Sequence, residues 1–414
     1  MGAAISDIFA RMILDSRGNP TVEVDCYVDG LLRGRAAVPS GASTGTHEAV
    51  ELRDGGDRWM GNGVQDSVNN VNGPIREALI GIDPANQDEI DTLLIELDGS
   101  ENKEVLGANA TLGVSLSCLR AAAQGELWNH ICKDGKSSLP VPMMNILNGG
   151  AHAETNVDVQ EFMVVPHGFD DFSEALRAGV EIYHALKSIL KQEGLLGGVG
   201  DEGGFAPNLP RNEEGLRLVR EAIERAGYSP GQQVSIALDV AAQEFFDGTH
   251  YHMDEEGMSG ADLGRIYSKW LDDYPIVSIE DPFGEDDWDS WVNFTSREGH
   301  RVQIVGDDLY VTNPKRLEKG IALGASNAIL IKLNQIGTFT ETMEVIGKSR
   351  EAGFGTIISH RSGETSDDII ADLAVGTNSL QIKTGAPARS DRTSKYNQLL
   401  RISEEVGNYS DLFQ

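Results

Sequence analysis

Basic residues are scarce in this chain of 414 residues. Its 34 Lys and Arg face 65 Asp and Glu, a formal net charge of −31, and no dense basic segment offsets it. That balance speaks against a nucleic-acid binder that works by neutralising phosphates. Cysteine is nearly absent as well. Cys26, Cys118 and Cys132 are an odd number, widely spaced, with no C-x-x-C pair, and they read as buried thiols in a reducing compartment. No stretch approaches the roughly 20 apolar residues of a membrane span. The opening MGAAISDIFARMIL has no basic region ahead of a long apolar run, so neither a signal peptide nor a membrane anchor is expected, and a cytoplasmic location is.

What is present is ordinary for a folded globular protein: 40% hydrophobic and 24% charged residues. The length suits about two or three domains, and a (β/α) barrel with one appended domain would use all of it. In the first forty residues Thr21, Glu23 and Asp25 alternate with Val22, Val24 and Cys26 between turn signals, which predicts antiparallel strands. The period then becomes helical, with Val64, Val68, Val71, Ile75 and Leu79, and again Leu112, Leu116, Leu119, Ala123 and Leu127. Strands followed by helices predict an α+β domain over residues 1–133. It carries the small, hydroxyl-rich Ser40-Gly41-Ala42-Ser43-Thr44-Gly45, a candidate lid over an active site or else a plain solvent loop.

Residues 140–414 have a different texture, in which short apolar runs alternate with helical patterns, the mark of a parallel sheet flanked by helices. Each run ends in a polar residue: Asp239, Glu280, Asp307, Lys332, His360-Arg361 and Lys383, spaced by 41, 27, 25, 28 and 23 residues. Steps of this size fit one βαβ unit each. A charge after an apolar run often only marks where a strand meets water. Six in register at one rim point to a barrel enzyme, whose catalytic groups sit at the carboxyl ends of several strands.

Three carboxylates on successive strand ends repel one another, and a hard divalent ion resolves the repulsion; an all-oxygen set favours Mg²⁺ or Mn²⁺ over zinc. Lys332 beside such a metal is either a general base, its ammonium form disfavoured by the cation and by burial, or a salt-bridge partner of the same carboxylates. The glycine-rich Val199–Asn208 holds Glu202, a candidate acid partner to Lys332. The pieces Asn145–His152 and Val157–Met163 bring His152, Gln160 and Glu161 toward the same rim, and His360-Arg361-Ser362 groups two potential cations with a hydroxyl, suited to an oxyanion.

These motifs together resemble the enolase family. The likeness runs in order through Asp15–Pro20, Ser40–Gly45, Asn148–His152, Gln160–Met163, Gly200–Asn208, Ile279–Phe283, Gly306–Leu309, Lys332–Gly337, Ser359–Thr365, Ile382–Gly385 and Lys395–Gln398, essentially the whole chain. The resemblance implies a modified eight-stranded (β/α) TIM-type barrel behind an α+β N-terminal domain. It also implies the glycolytic lyase reaction, reversible dehydration of 2-phosphoglycerate to phosphoenolpyruvate through an enediolate. Asp239, Glu280 and Asp307 would hold one Mg²⁺ and Ser43 would help hold a second. Lys332 would be the base and Glu202 the acid. Lys383 would face the substrate carboxylate and Arg361 and Ser362 the phosphate, with His152, Gln160, Glu161 and His360 completing the pocket. A homodimer or an octamer is implied, with no nucleic-acid partner. The rival readings are a racemase or lactonising enzyme of the same superfamily, and a catalytically silent binding protein.

Overall fold

The computed structural model describes residues 3–41, 47–153 and 155–413; Ser43 and the rest of 42–46 lie outside them. Three antiparallel strands open the chain: β1 (Ile5–Leu14), β2 (Pro20–Val28) and β3 (Leu31–Ala37), in that spatial order. The β1–β2 turn is closed by Asp15, whose Oδ1 accepts from the amides of Arg17 and Asn19, both at 2.8 Å. Val22, Val24 and Cys26 face the core as the alternation predicts. Asp25, on the other face, is buried too, because Arg35 clasps it at 2.6 and 3.0 Å and Arg11 pairs with it from β1.

The first predicted helix keeps its buried stripe, Val64 to Leu79, but is broken into Gln65–Asn70, a wider turn over Val71–Ile75, and Arg76–Leu79. Pro74 sits inside that wide turn and has no N–H to continue the ladder. The second ends earlier than its apolar repeat: helix Ala108–Ala123 stops at Gln124 in a left-handed conformation, and Leu127 starts a separate short helix. Cys26 and Cys118 are buried in this core, whereas Cys132 is only half-buried, which corrects the expectation for that thiol.

Eight strands then close a barrel: β4 (Val141–Asn148), β5 (Glu161–Val165), β6 (Ser235–Asp239), β9 (Ile276–Glu280), β10 (Gln303–Gly306), β11 (Ala328–Ile331), β12 (Gly355–Ser359) and β13 (Gln381–Lys383), the last pairing back to β4. A small hairpin, β7 (Tyr251–Met253) with β8 (Glu256–Met258), lies between β6 and β9. Seven of the barrel strands run the same way. β5 does not: it is antiparallel to both β4 and β6, a departure from the all-parallel expectation. Its first residue, Glu161, therefore pairs with Asn148 and Asp239, the last residues of its neighbours. Reversal also sends the chain back up outside the barrel through helix Phe172–Gln192 before it descends through Glu213–Arg225. The segment between those helices, with Glu202, packs on the top of β4, where Asn148 N donates to Phe205 O at 2.8 Å and Phe205 N to Ile146 O at 2.9 Å.

The interior below the rim is filled by Val141, Met143, Met163, Val165, Leu330 and Ile357 among others. The N-terminal domain is pinned across the top. Arg120 forks onto Asp367 at 2.6 and 2.9 Å, Thr340 N donates to Asp91 at 2.8 Å, and Lys103 pairs with Glu341 at 2.8 Å. Among the described residues no helix is long and apolar enough to cross a membrane.

Candidate active site

Strand geometry brings the polar run-ends to one cavity, lined by Glu161, Glu202, Asp239, Asp307, Lys332 and Lys383 with His152, Gln160, His360, Arg361 and Ser362. Its free volume is about 30 Å³, because long charged side chains reach across it. Lys383 is the hub. Its Nζ donates to Asp239 Oδ2 at 2.9 Å and to both Glu280 oxygens at 2.9 and 3.0 Å, and stands 3.2 Å from Glu161 Oε1. Burial would lower this lysine, but Asp239, Glu161 and Glu280 outweigh it and hold it well above its usual range. Lys332 pairs with Asp307, whose other oxygen accepts from Gln335 Nε2 at 2.9 Å. Here too burial is outweighed: Asp307 keeps Lys332 raised, and Lys332 keeps Asp307 low. In this arrangement the ion-pair reading of Lys332 is realised.

Glu202 lies on the other side of the cavity. Asn145 Nδ2 donates to its Oε2 at 3.0 Å, and Oε1 sits 3.2 Å from His360 Nε2 and 3.7 Å from His152 Nδ1. Burial pushes Glu202 up, yet the neighbouring ring N–H of His360 and the charge of Arg392 prevail and hold it low. The reverse holds for the histidines, which burial makes neutral; His360 is pushed down to about 3. Only Arg361 of the expected pair of cations at β12 is therefore a cation. Its guanidinium meets Glu48 at 2.9 and 3.2 Å and donates to Asn334 Oδ1 at 3.0 Å. Gly200 permits the tight approach of the Glu202 loop, since a Cβ there would meet His152 O at 2.7 Å and Asn148 Oδ1 at 2.8 Å.

Among the described residues the cavity wall carries seven carboxyl groups, those of Glu48, Glu161, Glu202, Asp239, Asp281, Asp307 and Asp308, against three basic side chains that are protonated here, Lys332, Arg361 and Lys383. The strain shows in the acids. Burial first, and neighbouring carboxylates second, push Asp308 up to about 8 and hold Glu161, Glu280 and Asp281 well above the usual range. Gln160 Oε1 and Glu161 Oε2 are buried with no hydrogen-bond partner among the described residues. An excess of hard, anionic and partly unpartnered oxygens fits a divalent cation of the Mg²⁺ type. Two groups at the rim, His152–Glu161–Glu202 and Asp281–Asp307–Asp308, bring ligand atoms within 4.8 Å of one another. Asp239 and Glu280 instead share the Lys383 ammonium, and Ser43 lies outside the described residues.

Several site residues have no counterpart in the sequence reading. Asp281 accepts the amides of Asp307 at 3.0 Å and Asp308 at 2.8 Å, which fixes the end of β10. Glu48, Asn145, Asp308, Gln335 and Arg392 are likewise new. Asp281 and Asp308 directly follow two run-ends and could have been found by asking what comes next.

Comparison with known proteins agrees in extent. Residues 136–413 match the family model described as "Enolase, C-terminal TIM barrel domain", and residues 5–131 match "Enolase, N-terminal domain". A curated relative from Beutenbergia cavernae, named "Enolase", is 56% identical over 410 residues, covering 98% of this chain and 96% of that one.

Proposed function

The chain belongs to the enolase family and is a lyase, a phosphopyruvate hydratase, and from that premise we propose how it works: reversible, Mg²⁺-dependent removal of water from 2-phosphoglycerate, with Lys332 as base and Glu202 as acid. The observation that carries the division of roles is their placement. Lys332 follows β11, whereas Glu202 rides on β4, three strands further round the barrel order. A group on each side of one cavity suits loss of the C2 proton from one face of the substrate and of the C3 hydroxyl from the other.

Lys332 Nζ takes the C2 proton, for which its ammonium must first give up a proton and its hold on Asp307. Glu202 delivers a proton to the departing hydroxyl and must therefore be loaded with one, against the surroundings that hold it low. Lys383 faces the substrate carboxylate, while Arg361 and Ser362 face the phosphate, Arg361 exchanging Glu48 for a second fork-shaped anion. His152, Gln160, Glu161 and His360 close the pocket. When bound, Mg²⁺ would be held by Asp239, Glu280 and Asp307, a second ion with help from Ser43, and would supply positive charge where a dianionic enediolate develops. Assembly as a homodimer or octamer in the cytoplasm completes the reading.

The test is the appearance of phosphoenolpyruvate absorbance from 2-phosphoglycerate in the presence of Mg²⁺. Absence of turnover by folded, Mg²⁺-supplied protein overturns the proposal.

A further inference from the structure

Arg392 is a fully buried cation that the acid–base pair leaves unexplained. It sits on helix Ser390–Ser403 with 0% exposure, and both terminal nitrogens of its guanidinium are directed at the site. One terminal nitrogen donates to His360 Nδ1 at 2.5 Å and to the Arg361 carbonyl at 2.6 Å. The other donates to the carbonyls of Ser362 at 2.6 Å and Asp201 at 3.2 Å. Nε faces Asp391 Oδ2 at 2.9 Å. Space for this is kept by Gly385, at φ +79°, where a Cβ would stand 2.9 Å from Arg392 Cδ and 3.1 Å from His360 Cε1.

A guanidinium only donates, and it keeps its charge at every pH a protein meets. The ring nitrogen facing it must accept, so His360 Nδ1 carries a lone pair. A neutral imidazole has one hydrogen, and here it belongs on Nε2. That atom is buried without an aligned hydrogen-bond partner among the described residues, 3.2 Å from Glu202 Oε1. Burial together with Arg392 and Lys383 keeps the ring neutral against the pull of Glu202.

We propose that Arg392 is a positioning residue that locks His360 as the Nε2–H tautomer, so that a neutral donor faces Glu202 and the leaving hydroxyl. The proposal rests on the reading of Glu202 as the acid. Once Glu202 has given up its proton, an N–H beside it stabilises the new carboxylate. The other tautomer would present a lone pair, which repels that carboxylate and competes for its proton.

The full-length, Mg²⁺-loaded protein with ¹⁵N-labelled histidine tests this directly. Long-range ¹H–¹⁵N spectra, with His360 assigned by the signals lost in His360→Gln, are expected to show a protonated Nε2 and an unprotonated Nδ1 between about pH 6 and 8. A proton on Nδ1 overturns the proposal. Arg392→Lys keeps a donor-only group and is expected to keep the tautomer; Arg392→Met is expected to mix the tautomers and lower kcat about tenfold or more with little change in KM. A pure Nε2–H signal in Arg392→Met, or equal slowing of both variants with the tautomer retained in the lysine form, would mean that the arginine merely holds the loop. If Arg392→Met does not fold, the unmodified protein and Arg392→Lys decide the matter. Loss of turnover in the unmodified protein would strike the hydratase reading and leave the tautomer result standing.

Discussion

Leu330 and Lys332 are two residues apart at β11, so their side chains leave the same face of the chain, yet they occupy two different media. Leu330 packs among Val141, Met163, Ala237 and Ile357 in the body of the barrel. Polar groups at that level are neutral and satisfied, as where Gln303 and Gln381 exchange two hydrogen bonds of 2.9 Å and Gln303 also donates to Ser278 at 3.0 Å. One layer higher, Lys383 and its carboxylates are buried and Lys332 is half-buried, with more acidic than basic groups and, among the described residues, with oxygens that lack partners. The lower layer is built to be stable by itself. The upper layer is complete only with something positive and something anionic added, so stability and activity should separate along a single strand.

Substitution can break that separation. Lys332→Ala is expected to cost about 10⁴-fold in turnover and to stop exchange of the substrate C2 proton with solvent. Surviving exchange would remove Lys332 from the role of base. Lys383→Met in metal-free protein leaves three buried carboxylates without their shared cation, a loss of about 3–5 kcal/mol by urea unfolding, and added Mg²⁺ should recover more stability in this variant than in the parent. A parent-like urea midpoint would mean that the cluster relieves itself by protonation. Leu330→Ala carries the opposite signature: about 2–5 kcal/mol of stability is lost and kcat stays unchanged. If kcat falls as well, the two layers are mechanically one.

The smallest effect is graded with pH. His360 is held far below the ordinary value near 6.5, so the folded state binds fewer protons there than the unfolded chain. Its contribution to stability is present above about pH 6.5 and lost as pH falls toward its folded value. Relative to His360→Gln, the parent should lose up to about 1.4 kcal/mol per pH unit across that window. Parallel stability curves would show that His360 is not buried as a neutral ring.

The rim was legible in the sequence because a parallel strand announces its own end: the apolar run stops, and the residue that stops it faces the site. Asp239, Glu280, Asp307, Lys332, His360 and Lys383 were found that way, and each stands at or just past its strand. Three things were not legible. Arg392 lies in Ser390–Ser403, whose local pattern is that of a solvated helix, and its complete burial comes from β12 and the Glu202 loop, remote in sequence. Glu48 is one polar residue among many after Ser40–Gly45. The direction of β5 is missed because strand ends are read only from residues that end an apolar run, whereas in Glu161–Val165 the charged residue comes first, before four apolar ones.

That reversed strand separates two kinds of adjustment. The carboxylates and Lys332 hang from strand ends, so their spacing is set by sheet register and is costly to alter. Glu202 hangs between two helices. Its height over the cavity answers both to the hydrogen bonds of Phe205 on β4 and to how Phe172–Gln192 and Glu213–Arg225 sit on the barrel, for example at Gly179, where an added Cβ would lie 2.2 Å from Met144 Sδ. Glu202 can thus be shifted from the outside of the molecule, by substitutions on a helix flank, while the strand-end carboxylates stay as they were.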